Sequence, residues 1–253
     1  MQFARNLWMA NPLLTGFGAL CAVGMLVCLV LTQVTGTQVL GINAFVKPAK
    51  FFISIAIFCW TMAYYTSLLE NRQAVTIYSW VVILGMAYEL IVITGQAALG
   101  KLSHFNIATR MDSALFQTMG IVITIVTLWT AYVGYLFFRQ QTFAVPMAVV
   151  WGIRLGIIIF VVFAFEGGAM AAMLQHTVGA PDGGAGLPFV NWSTHHGDLR
   201  IAHFVGMHAL QAVPLLCWAL NASLWQAVAV SAAYVAATVI VLVRALLGLP
   251  LWN

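Results

Sequence analysis

Charge is the scarcest commodity in this chain. Of 253 residues, ten are Lys or Arg and six are Asp or Glu, so 6% are charged while 63% are hydrophobic. A soluble domain carries about 25% charged residues, and this shortage identifies lipid as the solvent. Long polar stretches are also missing, which leaves almost nothing for a separate soluble domain. The net charge of +4 comes from basic residues scattered through short loops. With no basic face and no nucleic-acid motif, nucleic acid is excluded as a partner. The four cysteines, Cys21, Cys28, Cys59 and Cys217, never take a CxxC or other ligand-like spacing. They read as small packing groups and say nothing about the redox compartment. The N-terminal Met1-Gln2-Phe3-Ala4-Arg5-Asn6 is only weakly basic. The apolar run after it is too long for a signal peptide's core, so a retained first helix is expected.

What the chain does have is apolar runs. Each span needs about 20 mostly apolar residues to cross a hydrocarbon core of about 30 Å. Seven runs qualify, near 12–34, 49–69, 74–99, 113–138, 144–177, 199–219 and 224–247. The predicted fold is all-α: a polytopic transmembrane bundle of about seven helices, with residues 1–253 forming a single integral membrane domain in contact with the lipid bilayer. A β-barrel would show alternating segments of about ten residues, which are absent from this sequence.

The connecting loops alternate. The second, fourth and sixth are tiny: 70–73, 139–142 and 221–223. The first, third and fifth are longer and, being odd-numbered, share the opposite side. They contain Lys47-Pro48-Ala49-Lys50, then Gly100 to Asn106, then Gly179 to Asp198. This arithmetic puts His104, His176, His195, His196 and His203 at one face, with His208 about 7.5 Å deeper along its helix. The density of Gly and Pro between Ala180 and Pro188 argues against regular structure and fits either a capping loop or a plain connector. A count of basic residues places the long loops in the cytoplasm, unless those residues serve a site instead of topology.

Ionisable groups inside spans are costly and are kept when paired, neutralised or facing water. Glu89 in the third span, and Arg154 and Glu166 in the fifth, are such groups. Arg154 suits a structural pairing; Glu89 and Glu166, towards the long-loop half, suit a functional one. In the sixth helix Arg200, His203, Met207 and Gln211 fall within an arc of about 80°, while His208 stands about 140° from His203. His203 and His208 are therefore poorly placed to grip one ion. Asp198 is a candidate N-cap for that helix, and His195-His196 reads as a solvated loop pair. Lys47 and Lys50 mark a helix start, with their ammonium groups reaching for the interface. Met170, Met173 and His176 could touch a soft metal or haem, but adaptable packing is the better account of them.

Several strings carry a resemblance: Lys47-Pro48-Ala49-Lys50 followed by Ser54–Thr61, Gln96 to Asn106 with Ser103-His104-Phe105-Asn106, and His176 to Gln211. The last contains His176-Thr177-Val178-Gly179, Asp182-Gly183-Gly184, Gly186-Leu187-Pro188 and Gly197-Asp198-Leu199-Arg200, then His203-Phe204, Gly206, His208 and Gln211. Together these resemble a family of uncharacterised bacterial multi-pass membrane proteins, from the second span to the sixth. The resemblance implies the fold and a site region only, with no activity; the expected location of the chain is the bacterial cytoplasmic (inner) membrane. His195-His196 lies outside the pattern. Other seven-helix classes fit poorly. The last helix has no Lys for a retinal Schiff base and no His for a ceramidase-like zinc site, and the closely spaced His boxes of membrane desaturases are missing.

Four function classes follow. The first is a redox or metal protein holding haem b or a transition metal through His203 with His176, His208 or His104, working with a membrane redox partner. Here His176 and His203 are the candidate metal ligands. The second is a proton-coupled transporter or channel using Glu89, Glu166 and the histidines as a relay. The third is an enzyme acting on a small lipophilic ligand, with Glu89, Glu166 and Arg200 as catalytic groups. The fourth is a structural or assembly subunit. On this reading Glu89, His104, Glu166, His176, Arg200 and His203 are expected to approach one another.

Overall fold

In the computed structural model, which describes residues 2–252, the chain is built from eight helices and four two-residue strands. The helices are α1 (Gln2–Ala10), α2 (Pro12–Val34), α3 (Val46–Ser67), α4 (Arg72–Ala98), α5 (Arg110–Arg139), α6 (Met147–Met173), α7 (Leu199–Ala219) and α8 (Leu224–Leu246). Among the described residues, seven of them, α2 to α8, are long and apolar enough to span a bilayer. The protein is an all-α, multi-pass integral membrane protein. Large apolar side chains such as Leu26, Ile91, Trp225 and Ile240 are exposed, as a lipid solvent permits.

The helix limits follow local chemistry. Asn11 caps α2, its side chain accepting from the Leu14 amide, with Pro12 in the first turn, where no donor is needed. Asn71 caps α4 in the same way. Ser223 and Gln226 form a reciprocal capping box on α8. The fifth span stops at Met173, short of the expected 177, because Leu174 turns into the left-handed region at φ 54°. The short α1 was not expected; nine residues are too few to register as a span.

Two compact units divide within α5, one covering Met1–Trp129 and the other Thr130–Asn253. In the first, the buried Asn11 amide donates to Thr66 Oγ1 at 3.2 Å and to Ser79 Oγ at 2.9 Å. That polar node ties together the start of α2, the end of α3 and the start of α4. Small residues let the helices close: Gly18 and Gly24 of α2 lie under Trp60 and Phe52 of α3. The first long loop forms a hairpin, β1 (Gln38–Val39) with β2 (Ile42–Asn43). Leu40 and Gly41, both at positive φ, make its two-residue turn.

In the second unit α6 and α7 pack through glycines. A Cβ on Gly156 would sit 2.8 Å from the Ala209 carbonyl oxygen, one on Gly152 2.9 Å from Pro214 Cα, and one on Gly206 would run into the Phe163 ring. Above this contact the fifth loop is more ordered than its Gly and Pro content suggests. Strand β3 (Thr177–Val178) pairs antiparallel with β4 (Gly197–Asp198), and Gly186 bridges to Ser193.

Candidate functional site

Each unit carries its own constellation of ionisable groups. In the second, Glu166 of α6 meets His203 of α7, with Glu166 Oε2 3.2 Å from His203 Nδ1. The same nitrogen lies 2.7 Å from the Phe163 carbonyl oxygen. One N–H cannot serve both, and the shorter, better aligned carbonyl contact takes it. Glu166 is left with proximity to the ring but without a hydrogen bond: both carboxyl oxygens are buried and unpartnered. Its side chain is 10% exposed and that of His203 24%. The proton on Nδ1 leaves Nε2 of a neutral ring as an acceptor. Gly167 makes room for this ring, since a Cβ there would lie 2.9 Å from His203 Cε1.

Arg200 stands one turn earlier on α7 but belongs to a different group. Asp198 caps α7 as expected, with Oδ1 accepting from the Arg200 amide at 3.1 Å. The same carboxylate takes a two-pronged contact from the Arg200 guanidinium, at 2.9 Å to Oδ1 and 2.6 Å to Oδ2, and the Ser193 amide at 2.9 Å. Arg200 also donates to the Asn191 carbonyl. His176 completes the cluster, its Nδ1 3.2 Å from Asp182 Oδ1 and 3.7 Å from Asp198 Oδ1. Asp182 in turn accepts from the Thr177 amide at 2.9 Å. Burial alone would raise the Asp198 pKa, but hydrogen bonds and charge from Arg200, the Ser193 amide and His176 outweigh it and hold it below the ordinary carboxylate value. This cluster clasps the fifth loop to the start of α7.

The other candidates of this unit are plainer. His208 lies flat on Phe204, with ring centroids 4.0 Å apart, and its Nδ1 is 2.8 Å from the Phe204 carbonyl oxygen one turn back. His195 is exposed, in keeping with a solvated loop position. Arg154 is structural, but its partners are carbonyls and aromatic faces instead of a carboxylate. It donates to the Phe137 oxygen at 3.0 and 2.7 Å and stacks 5.1 Å from the Phe138 and Trp151 rings.

In the first unit Glu89 of α4 is 5% exposed, with Oε1 buried and unpartnered. His104 lies in the third loop. Its Nδ1 is 3.2 Å from Lys47 Nζ, at the start of α3, and 3.1 Å from Ser103 Oγ. Phe51, Phe105 and Phe116 crowd its ring at 5.6, 6.2 and 6.4 Å between centroids. In the sequence Lys47 reads as an interfacial anchor, and Ser103 and Asp182 stand only within the strings of the resemblance, with no site role of their own. The repeated appearance of polar residues beside the candidate histidines was the available signal. Nearby, Asp112 is fully engaged by Gln96 at 2.8 Å, Thr109 at 2.7 Å and Lys101 at 3.4 Å.

All four cysteines are buried thiols, as packing groups should be. Among the described residues, no three His, Cys, Asp or Glu side chains converge as a metal-holding group. The chain is thus a multi-pass membrane protein with buried carboxyl oxygens on Glu89 and Glu166 and a partly exposed imidazole, His203, beside the latter. No protein-family model, curated protein or solved structure matches it.

Proposed function

We propose that this is a bacterial inner-membrane protein that moves protons through its helices, as a proton-coupled transporter or channel, with Glu166 and His203 as the proton-carrying pair. The observation that supports this most is Glu166, whose two buried oxygens lack hydrogen-bond partners while His203 Nδ1 stands 3.2 Å away. An unsatisfied buried carboxyl oxygen is costly. It is relieved by a proton on Glu166 or by a positive charge on His203, and these two states differ in the place of a single proton. Ionisable groups held this way inside spans mark proton relays. The clasp of His176, Asp182, Asp198 and Arg200 supplies a charged entrance on the long-loop side, within the same unit.

The test is proton flux into vesicles containing the purified full chain and a pH-sensitive dye, driven by a potassium diffusion potential. Wild-type protein is expected to acidify the lumen, E166Q and H203A to fall to the rate of protein-free vesicles, and H195A to behave as wild type. No flux in the wild type, or full flux in E166Q, overturns the reading.

A second reading, a haem b or transition-metal redox protein, is favoured by one observation. The Phe163 carbonyl fixes the His203 tautomer and presents Nε2, as outer partners do for metal-bound imidazoles. His176, His208 or His104 would have to supply the further ligand. An absorption spectrum and metal analysis of the purified protein decide this: a Soret band or stoichiometric metal, lost in H203A, selects it.

A further inference from the structure

We propose that Lys47 and His104 form a relay that loads a proton onto Glu89, a second proton-binding carboxyl distinct from the Glu166–His203 pair. The inference goes beyond the reading given for that pair and does not depend on it. Lys47 Nζ is 3.2 Å from His104 Nδ1. An ammonium group can only donate, so Nδ1 is the acceptor and the imidazole is neutral, with its proton on Nε2. A second proton on the ring would set two positive charges in contact. Phe51 lies under both groups, 5.9 Å from Nζ and 5.6 Å from the His104 ring, while Phe105 and Phe116 close the other sides. These rings limit the water that would screen the repulsion. The pair therefore holds one excess proton readily and sheds another.

Glu89 is the place where a shed proton can go. It is buried on α4 and its Oε1 has no hydrogen-bond partner; Phe51, over whose ring Lys47 Nζ sits, packs against the cluster of Val92, Ile93 and Met119, whose α4 members lie about one turn beyond Glu89. The remaining charged groups at this end of the unit are Lys50, one turn along α3, Arg110 at the start of α5, and the Lys101–Asp112 pair, which is engaged with Gln96 and Thr109. The step balances without any oxidant or reductant. Lys47 swings on its flexible stem and gives a proton to Glu89: an N–H bond breaks, an O–H bond forms, and Nζ keeps the electron pair. A hydronium ion on the loop side protonates His104 Nδ1 and is left as water, and Nδ1 passes that proton to Nζ. Both bases return to their starting states, and one proton has moved from the hydronium ion to Glu89.

The experiment is time-resolved infrared spectroscopy of the carboxyl C=O band after a proton is photoreleased from a caged acid, on the full chain in lipid nanodiscs. E89Q is expected to remove one band and to spare the separate band that E166Q removes. K47M and H104Q should reach the Glu89 band at least tenfold more slowly than wild type. K47R guards against misfolding: it keeps the charge but does not release its proton, so it should be slow as well. An E89Q spectrum missing no band, or wild-type loading in both H104Q and K47R, overturns the relay. Loss or survival of the E166Q band tests the other pair alone.

Discussion

Asp198→Ala should release the fifth loop from α7 without unfolding the helices. Four donors end on this carboxylate: the Ser193 amide, the Arg200 amide and two guanidinium nitrogens of Arg200. Loss of a helix cap costs about 1 kcal/mol. Breaking a buried ion pair costs about 3–5 kcal/mol. The Arg200 side chain is 27% exposed and keeps its contact with the Asn191 carbonyl, so solvent reduces the second figure to about 2 kcal/mol. The sum, about 3 kcal/mol, corresponds to a roughly 150-fold rise in the open fraction of the loop. Amide hydrogen exchange at Ser193, Thr177 and Leu199 reads this directly, because Leu199 donates to the His176 carbonyl within the same clasp. The pH dependence has a definite sign. The folded-state pKa of Asp198 is depressed, so its contribution is fully present above the unfolded value of about 3.9 and is lost as the pH falls through the lower folded value. The wild-type loop should therefore resist pepsin at the upper end of its acid range and yield only below ordinary carboxylate titration. Unchanged exchange at Ser193 and Thr177 in D198A would refute the reasoning, as would a wild-type loop that opens near neutral pH.

Three further outcomes follow from the packing. R154M should lower detergent-solubilised stability by about 2–3 kcal/mol, because the Phe137 carbonyl near the end of α5 loses a charged donor; R154K should recover only part of this in a thermal melt, lacking the planar stack on Phe138 and Trp151. G206A should cost about 1–3 kcal/mol by overpacking against Phe163, and should also reduce the activity that depends on His203, whose Nδ1 rests on the carbonyl of that same Phe163. Reporter fusions after Gln73 and after Gly184 should report opposite compartments, since three of the candidate spans, α4, α5 and α6, lie between them; a shared compartment would remove the seven-span topology.

The helices were legible because their causes are local. Span length, apolar composition and caps are all written within a few neighbouring residues, and Pro12–Val34 and Leu199–Ala219 begin and end where the sequence reading placed them. The misses have the opposite origin. The β1–β2 hairpin rests on Leu40 holding a positive φ, which a non-glycine residue does not advertise. The fifth span ends early because Asp182, beyond the helix, captures the amides of His176 and Thr177. That contact pulls the chain into β3, and no periodicity reveals it.

The site was legible in its residue types more than in its pairings, and the sixth helix shows why. Arg200 and His203 share an arc of the helix, which suggested one polar stripe, yet one turn of rise hands them to different neighbours. Arg200 is drawn to Asp198, two residues away in the chain, while His203 is set by α6, where Phe163 and Glu166 flank its ring nitrogen. Angular proximity on a helix tells which groups must avoid lipid; the opposing surface decides what each of them meets. Lys47 makes the same point from the other direction. An interfacial lysine and a loop histidine each have an ordinary solvated reading when taken singly. Only the fold, by closing the third loop over the start of α3, brings their nitrogens to 3.2 Å. At that distance two unremarkable bases must share their protons, and the chemistry open to this end of the protein changes with them.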